Sequence, residues 1–274
     1  MSTLTMRMVL FYGLTLLLSW GYWLGLIAQN IVVEPGSTAS HLPGLMGPMI
    51  AAFVITLILD GWTELRSLAA RCFTIPDNWP AAIMAIALPP VLLLACYLLI
   101  VASGGAWPSL QAFLDYPGIP QATPALASLV LVIVLNGYGE EVGWRGFMLE
   151  RLLPRLGPFR ATLLLAPMWL FWHLPLFWLT RPMMDMLGPM LAGWAIGLLL
   201  GAFVFTYLYV TFSRSLLVVA LWHTAYNLSV ATFAARGLPA ALISTLVMLL
   251  GLWVAVHFWR LSGTNPEQAE EQAQ

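Results

Sequence analysis

The stretch LVLVIVLNGYGEEVGWRGF, residues 129–147, joins an apolar run to a group of charged residues. The apolar run continues to Leu135 and is typical of a membrane helix, yet Glu140, Glu141 and Arg145 follow it closely. Only 8% of the 274 residues in the chain are charged, so three of them in one hydrophobic segment need a reason. An ionisable side chain at the centre of a bilayer costs at least ~2.5 kcal/mol, and such residues usually mark functional sites. The stretch therefore predicts a membrane helix that carries such a site.

The composition of the whole chain agrees with this interpretation. Hydrophobic residues make up 61% of the chain, whereas a soluble domain has roughly 45–50%. At about 20 residues per crossing plus short loops, this length predicts an all-α, polytopic membrane protein with about eight transmembrane helices. The expected partner is therefore the lipid bilayer. A formal net charge of −1 gives no reason to expect nucleic acid as a partner.

Turn signals divide the apolar sequence into eight expected spans. Their approximate bounds are 8–30, 44–60, 80–103, 123–150, 161–179, 187–209, 213–234 and 239–259. The first apolar run is longer than the core of a signal peptide, so it is expected to be retained as a helix. The polar segment 60–78 fits either a short interfacial helix or a plain loop.

The placement of arginine predicts the orientation of these spans, because cytoplasmic loops carry an excess of basic residues. All eleven basic residues are arginines. Only Arg181 and Arg236 fall on the side opposite to the N-terminus, and Arg145 lies within a span. The other eight share the N-terminal side: Arg7, Arg66, Arg71, Arg151, Arg155, Arg160, Arg214 and Arg260. The expected arrangement has both termini in the cytoplasm.

Three groups of polar residues lie inside the expected spans. They are the glutamates with Arg145, then His173, and then His223 with Asn227. At a rise of about 1.5 Å per residue, each group lies roughly 14–20 Å from the arginine at the cytoplasmic end of its helix. Three helices that carry polar residues at one depth predict a shared intramembrane cavity. His41, in a loop, and His257, near a helix end, are given no role.

Helical spacing assigns different tasks to the two glutamates. Glu141 and Arg145 are i,i+4 neighbours and suit a local ion pair. Glu140 is rotated by about 100° from Glu141, so it is expected to face the cavity. The glycines around the glutamates are open to two interpretations, which are close helix packing and room for a substrate.

This set of residues suggests hydrolysis with water as the nucleophile. Glu140 is expected to act as general base, a histidine to help hold the water, and amide and imidazole donors to stabilise the oxyanion. Zinc is the competing interpretation, because two histidines and a glutamate can bind it with one open position. The chain has no H-E-x-x-H helix, so the mechanism without a cofactor or metal is favoured.

The residues resemble three motifs of the CPBP (Abi) family of intramembrane proteases, which includes the type II CAAX prenyl endopeptidases. The motif E-E-x-x-x-R is similar to Glu140–Arg145, F-x-x-x-H to WLFWH ending at His173, and H-x-x-x-N to His223–Asn227. The segment GPMIAAFVITLI, from Gly47, also resembles an early helix of that family. One position departs from the pattern, because Trp169 stands where the motif has phenylalanine. The shape of the pocket is expected to differ there.

The resemblance implies a catalytic set of six residues: Glu140, Glu141, Arg145, His173, His223 and Asn227. Glu140 would activate the water, supported by the other two residues of its motif. His173 would position the water, and His223 with Asn227 would form the oxyanion site. The resemblance covers about residues 40–257. The predicted domains are 1–39 as a transmembrane helix with its loop, 40–259 as the intramembrane protease domain, and 260–274 as a tail that its acidic, polar composition predicts to be disordered.

The activity implied is that of an endopeptidase acting on membrane-associated or lipidated substrates of the CAAX type. The expected partners are peptide or protein substrates, prenylated ones included, and the expected location is a bacterial inner (plasma) membrane. Two other functions fit the same residues. One is a non-catalytic membrane scaffold or immunity protein of the same fold, and the other is a proton-coupled transporter with Glu140 as the carrier.

Overall fold

The computed structural model describes residues 3–263, in which the regular structure is helical apart from isolated β-bridges. The α-helices are, in chain order, α1 Thr3–Ala28, α2 Leu42–Leu45, α3 Gly47–Asp60, α4 Trp62–Arg71, α5 Trp79–Ala102, α6 Leu110–Leu114, α7 Ala125–Leu131, α8 Gly139–Glu141, α9 Glu150–Trp172, α10 Arg181–Met184, α11 Pro189–Thr211, α12 Leu216–Ala231 and α13 Leu238–Gly263. Two π-helices, Val132–Tyr138 and Val142–Leu149, flank α8, and a 3-10 helix, Leu174–Trp178, follows α9. The predicted all-α class is confirmed.

Within residues 3–263, six helical segments are long and apolar enough to cross a membrane: Thr3–Ala28, Leu42–Asp60, Trp79–Ala102, Ala125–Trp178, Pro189–Thr211 and Leu238–Ser262. The fourth runs for 54 residues and holds two of the predicted spans. Gly157 divides it, because its φ of 67° and ψ of 171° interrupt the helix. A further apolar helix, Leu216–Ala231, is shorter. The polytopic membrane class is confirmed, and each of the eight predicted spans overlaps one of these segments.

Several boundaries differ from the predicted ones. The first helix begins at Thr3, five residues before the predicted span, so the turn that contains Arg7 is also helical. In the polar segment after Asp60, a short helix forms rather than a plain loop: α4 buries Leu68 and leaves Trp62 exposed. The last helix extends to Gly263, and the rest of the predicted tail at 260–274 lies outside the described residues.

Close packing explains two of the glycines near the glutamates. A Cβ at Gly143 would lie 2.7 Å from the backbone carbon of Pro48 in α3. A Cβ at Gly137 would lie 2.7 Å from the carbonyl oxygen of Ala220 in α12. The segment that carries the glutamates is therefore held between α3 and α12, and both glycines are needed for that approach.

Four of the arginines predicted to be cytoplasmic share two acidic partners. Asp60 pairs with Arg7 at 2.5 Å and with Arg151 at 2.6 Å. The carboxylate of Glu150 forms the second such group, with Arg71 and Arg214 as its basic partners. Each group joins helices that are distant in the chain, so these ion pairs tie the ends of the helices together.

The connections at the opposite end are joined by backbone hydrogen bonds. The amide of Val33 donates to the carbonyl of Leu179 at 2.7 Å, and the amide of Phe233 donates to the carbonyl of Asp115 at 3.1 Å. These hydrogen-bonded loops close the bundle at the end remote from Asp60 and Glu150. They also place the buried Tyr116 close to Glu140 and Asn227, which belong to the group of polar residues described next.

Candidate active site

The carboxylate of Glu140 is buried and is held by a donor on each oxygen. Its residue is 2% exposed. The amide of Asn136 donates from Nδ2 to Oε1 at 2.9 Å, and the indole of Trp169 donates from Nε1 to Oε2 at 2.8 Å. Both donors are neutral groups, so the direct hydrogen bonds around Glu140 contain no cation that would neutralise its charge.

The backbone around the two glutamates is unusual, because the short helix α8 lies between two π-helices. A π-helical turn inside a longer helix is rare and occurs often at functional sites. It widens the turn and changes the direction in which the following side chains point. Glu140 and Glu141 lie between two such turns, and their carboxylates reach different partners.

Glu141 lies in an ion pair that is fully buried. The Nη1 of Arg145 is 3.0 Å from both of its carboxylate oxygens, with hydrogen-bond geometry toward Oε1. The same Oε1 lies 2.7 Å from Nδ1 of His223. Because a carboxylate can only accept, Nδ1 of His223 carries the hydrogen, and Nε2 is left for another contact. The predicted i,i+4 ion pair is thus present, with His223 added to it.

The guanidinium of Arg145 lies between two aromatic rings. Its central carbon is 4.5 Å from the ring centroid of Trp169 and 4.2 Å from that of Phe205. These cation–π contacts and the ion pair with Glu141 compensate for part of the cost of burying the charge, since Nε and Nη2 have no hydrogen-bond partner among the described residues. Arg145 therefore connects the Glu141 pair to the aromatic wall of the site.

His173 lies at the C-terminal end of α9, where its ring closes the last helical turn. Its Nδ1 is 2.8 Å from the carbonyl oxygen of Trp169. A carbonyl can only accept, so Nδ1 carries the hydrogen and Nε2 presents a lone pair. The ring packs edge-on against Trp194 of α11, with centroids 5.6 Å apart. His173 is therefore fixed in a single tautomer with Nε2 as the acceptor.

Trp169 is the side chain that brings the predicted residues together. Its N–H binds Glu140, and its ring centroid lies 5.6 Å from that of His173 and 6.0 Å from that of His223. Asn227 joins from the other side, because its Nδ2 donates to Oδ1 of Asn136 at 2.6 Å. All six predicted residues thus meet in one cluster, in which four are buried and His173 and Asn227 are partly buried.

Sequence reasoning missed three further residues near this cluster: Tyr116, His41 and Asn136. Tyr116 lies in one of the loops that close the bundle at the end remote from Asp60. Burial raises the pKa of its hydroxyl and the charge of Glu140 raises it further, whereas a hydrogen bond with the Asn227 side chain lowers it. His41 was treated as an ordinary loop residue, but it is buried, and burial lowers its pKa to about 4. No local signal distinguishes either of them. Asn136 did have a signal, since it precedes Glu140 by four residues and shares its helical face.

The zinc interpretation can be compared with the placement of possible ligands. Among residues 3–263, no group of three or more His, Cys, Asp or Glu side chains is placed to hold a metal ion. Nδ1 of His173 and of His223 is already bonded to protein oxygens. The free nitrogen of each is Nε2, whose lone pair can accept a hydrogen bond from water or bind a metal ion.

Two comparisons with known proteins bear on this cluster. A family model described as type II CAAX prenyl endopeptidase Rce1-like matches residues 122–229, a range that contains all six predicted residues. A curated relative, CAAX prenyl protease 2 of Methanococcus maripaludis, is 28% identical over 141 residues. That match covers 51% of this chain and 51% of the relative, so about half of the relative's length is matched.

Proposed function

We propose that this chain belongs to the Rce1-like family of type II CAAX prenyl endopeptidases, whose model matches residues 122–229, and that it is an intramembrane endopeptidase. It would hydrolyse a peptide bond of a membrane-associated or lipidated substrate with water activated by Glu140. The observation that carries this proposal is the buried carboxylate of Glu140, held by two neutral N–H donors beside two histidines. A carboxylate without a cationic partner is suited to take a proton.

The first step is the attack of water on the peptide carbonyl. Nε2 of His173 accepts a hydrogen bond from the water and orients it, while Glu140 takes a proton from the same molecule. The new C–O bond forms as the π electrons of the carbonyl move to its oxygen. This gives a tetrahedral oxyanion, and Glu140 now holds one proton.

The oxyanion needs hydrogen-bond donors, and α12 carries two side chains that could donate, Asn227 and His223. One N–H of the Asn227 carboxamide is bonded to Asn136, and Tyr116 also contacts this side chain. We assign the second N–H to the oxyanion, which would displace Tyr116 from it. Nε2 of His223 donates when it too carries a proton, and the carboxylate of Glu141 balances the resulting charge. Donors that are fixed before the reaction are worth several kcal/mol in such a step. Glu141 and Arg145 thus support catalysis through His223.

The second step breaks the peptide bond. As the oxyanion collapses, the C–N bond cleaves and Glu140 returns its proton to the leaving nitrogen. The products are a carboxylic acid and an amine, and the base is ready for another water. No metal or cofactor is needed in this cycle, so we propose the glutamate mechanism rather than zinc.

The substrate class follows from the name of the curated relative, a CAAX prenyl protease. We propose a peptide with a lipidated cysteine near its C-terminus, presented from the cytoplasmic face of an inner (plasma) membrane. The arginines that pair with Asp60 and Glu150 support this orientation, with both termini in the cytoplasm. The bilayer then concentrates the lipidated substrate next to the enzyme.

The test compares wild type and Glu140→Gln in proteoliposomes with an internally quenched farnesylated CAAX peptide. The variant keeps the shape of the side chain and removes the base. We expect the rate to fall by about 10²–10⁴-fold, the usual contribution of a general base. Glu34→Gln is the control, because Glu34 lies in a half-exposed pair with Arg181; its rate should equal that of wild type.

Each result separates two parts of the proposal. Cleavage by Glu140→Gln at the wild-type rate would show that Glu140 is not the base. If wild type leaves both the farnesylated and the unmodified peptide intact, the proposed substrate class is wrong. New peptide termini in membranes that contain wild type, and their absence with Glu140→Gln, would then identify the true substrate.

A further inference from the structure

Neither donor to the carboxylate of Glu140 belongs to the six residues of the predicted set. We propose that Trp169 and Asn136 are positioning residues, which fix the plane of the Glu140 carboxylate for proton transfer. The inference rests on the proposed role of Glu140 as base. It adds two residues to the machinery, one of them at the position where the F-x-x-x-H motif has phenylalanine.

A glutamate needs such help because its last side-chain torsion is soft. The rotation of the carboxylate about Cγ–Cδ has broad, roughly two-fold preferences instead of sharp wells. Donors on both oxygens remove this freedom, since rotation would lengthen both hydrogen bonds at once. Each oxygen keeps a further lone pair, so the fixed carboxylate can still accept a proton from water.

Trp169 is held rigidly enough to act as one of the two donors. Its side chain is 4% exposed, and its ring packs edge-on against Phe205 with centroids 5.4 Å apart. The guanidinium of Arg145 covers a face of the ring. An indole nitrogen can only donate, and here it has a single acceptor, Oε2 of Glu140.

Other buried tryptophans show that this hydrogen bond is not a general property of a tryptophan-rich chain. Trp144 and Trp172 are both fully buried. In the part of the chain that the structure describes, the Nε1 atoms of these two side chains have no hydrogen-bond partner. The three indoles are thus alike in burial, and Trp169 differs in reaching a carboxylate.

Asn136 transmits the position of Asn227 to Glu140. Oδ1 of Asn136 accepts from Nδ2 of Asn227 at 2.6 Å, and this contact fixes which way the carboxamide points. Nδ2 of Asn136 must then face Glu140, where it donates at 2.9 Å. A flipped carboxamide would place two oxygens against each other and two N–H groups against each other or without acceptors. The orientation of the base is thereby coupled to the expected oxyanion site.

The first test is kinetic and uses Trp169→Phe, which keeps an aromatic ring and removes the N–H. We expect kcat for the farnesylated peptide to fall by about ten- to hundredfold, the usual range for a hydrogen bond to a charged group. KM should change little, because the lost interaction acts on the base. Asn136→Ala should lower kcat in the same way. Trp144→Phe is the matched control and should retain the wild-type kcat.

The second test does not depend on turnover. Infrared spectra of protein with ¹³C-labelled glutamate, taken as a difference from Glu140→Gln, isolate the carboxylate band of Glu140. Loss of a donor should shift and broaden this band in Trp169→Phe and in Asn136→Ala, and leave it unchanged in Trp144→Phe. Far-ultraviolet circular dichroism of each variant confirms that the helices are intact.

The two tests distinguish the possible failures. An unshifted band in Trp169→Phe would overturn the inference even if activity fell. A shifted band with unchanged kcat would show that the hydrogen bond exists but does not position the base, which also overturns it. If wild type cleaves no peptide, the proposed function has failed, and the infrared result alone decides whether Trp169 and Asn136 hold the carboxylate.

Discussion

Replacing Arg145 by methionine tests how the buried charges support one another. Arg145 and Glu141 are both fully buried and pair at 3.0 Å. Methionine has a similar length and keeps aromatic contacts in place of the guanidinium, so little volume is lost. The carboxylate of Glu141 is left in the interior with His223 as its hydrogen-bonded partner. Breaking a buried pair from one side costs about 3–5 kcal/mol, and we expect a loss of that size.

The measurement is reversible unfolding in mixed micelles of a mild detergent and dodecyl sulfate, followed by circular dichroism. Arg181→Met is the control, because its pair with Glu34 is half-exposed and such pairs contribute about 0–1 kcal/mol. The double variant Arg145→Met with Glu141→Leu should recover part of the loss, since both charges are then gone. If Arg145→Met costs no more than Arg181→Met, the argument from burial is wrong.

Three further predictions follow from single features of the molecule. Because burial lowers the pKa of His41 to about 4 from about 6.5 in the unfolded chain, the unfolded state binds more protons between these values. Stability should therefore fall as the pH decreases from about 6.5 to about 4, and His41→Leu should make the unfolding midpoint less dependent on pH. Peptide cleavage should be unchanged by 1,10-phenanthroline at millimolar concentration; loss of activity that Zn²⁺ restores would support the metal mechanism instead. Gly143→Ala should destabilise by about 1–3 kcal/mol, because its Cβ would meet the backbone of Pro48. Gly13→Ala in α1 is the control, because a Cβ added there would meet no atom of a neighbouring element within 4 Å. It should be neutral or slightly stabilising in the same unfolding assay.

The sequence predicted the helices well because the signal for a membrane span is local and strong. A run of apolar residues about as long as the bilayer is thick needs no knowledge of its neighbours. The pair of Glu141 with Arg145 was equally local, since i,i+4 spacing places both groups on one helical face. Polar residues at similar depth on three helices correctly indicated that the helices meet there, as the contacts of Trp169 show.

The rest depended on contacts between distant parts of the chain. Nothing in the sequence around Tyr116 or His41 indicates burial, because both come from loops that fold onto the bundle. The substitution at Trp169 was noticed as a change of shape, but its hydrogen bond could not be predicted. That bond requires the distance and direction of Glu140, which lies 29 residues away in sequence. The π-helices were missed as well, since apolar periodicity does not separate a π-turn from an α-turn.

The two adjacent glutamates show how position alone divides one chemistry into two roles. Glu141 is bonded to a guanidinium and an imidazole, so its negative charge is compensated and it is suited to hold His223. Within residues 3–263, the hydrogen-bond partners of the Glu140 carboxylate are an amide and an indole, so its charge is oriented but not neutralised. A carboxylate that is compensated by a cation is a poor proton acceptor, and one that is merely oriented is a better one. Exchanging the two environments would therefore abolish the proposed reaction, although the motif would keep the same residues in the same order.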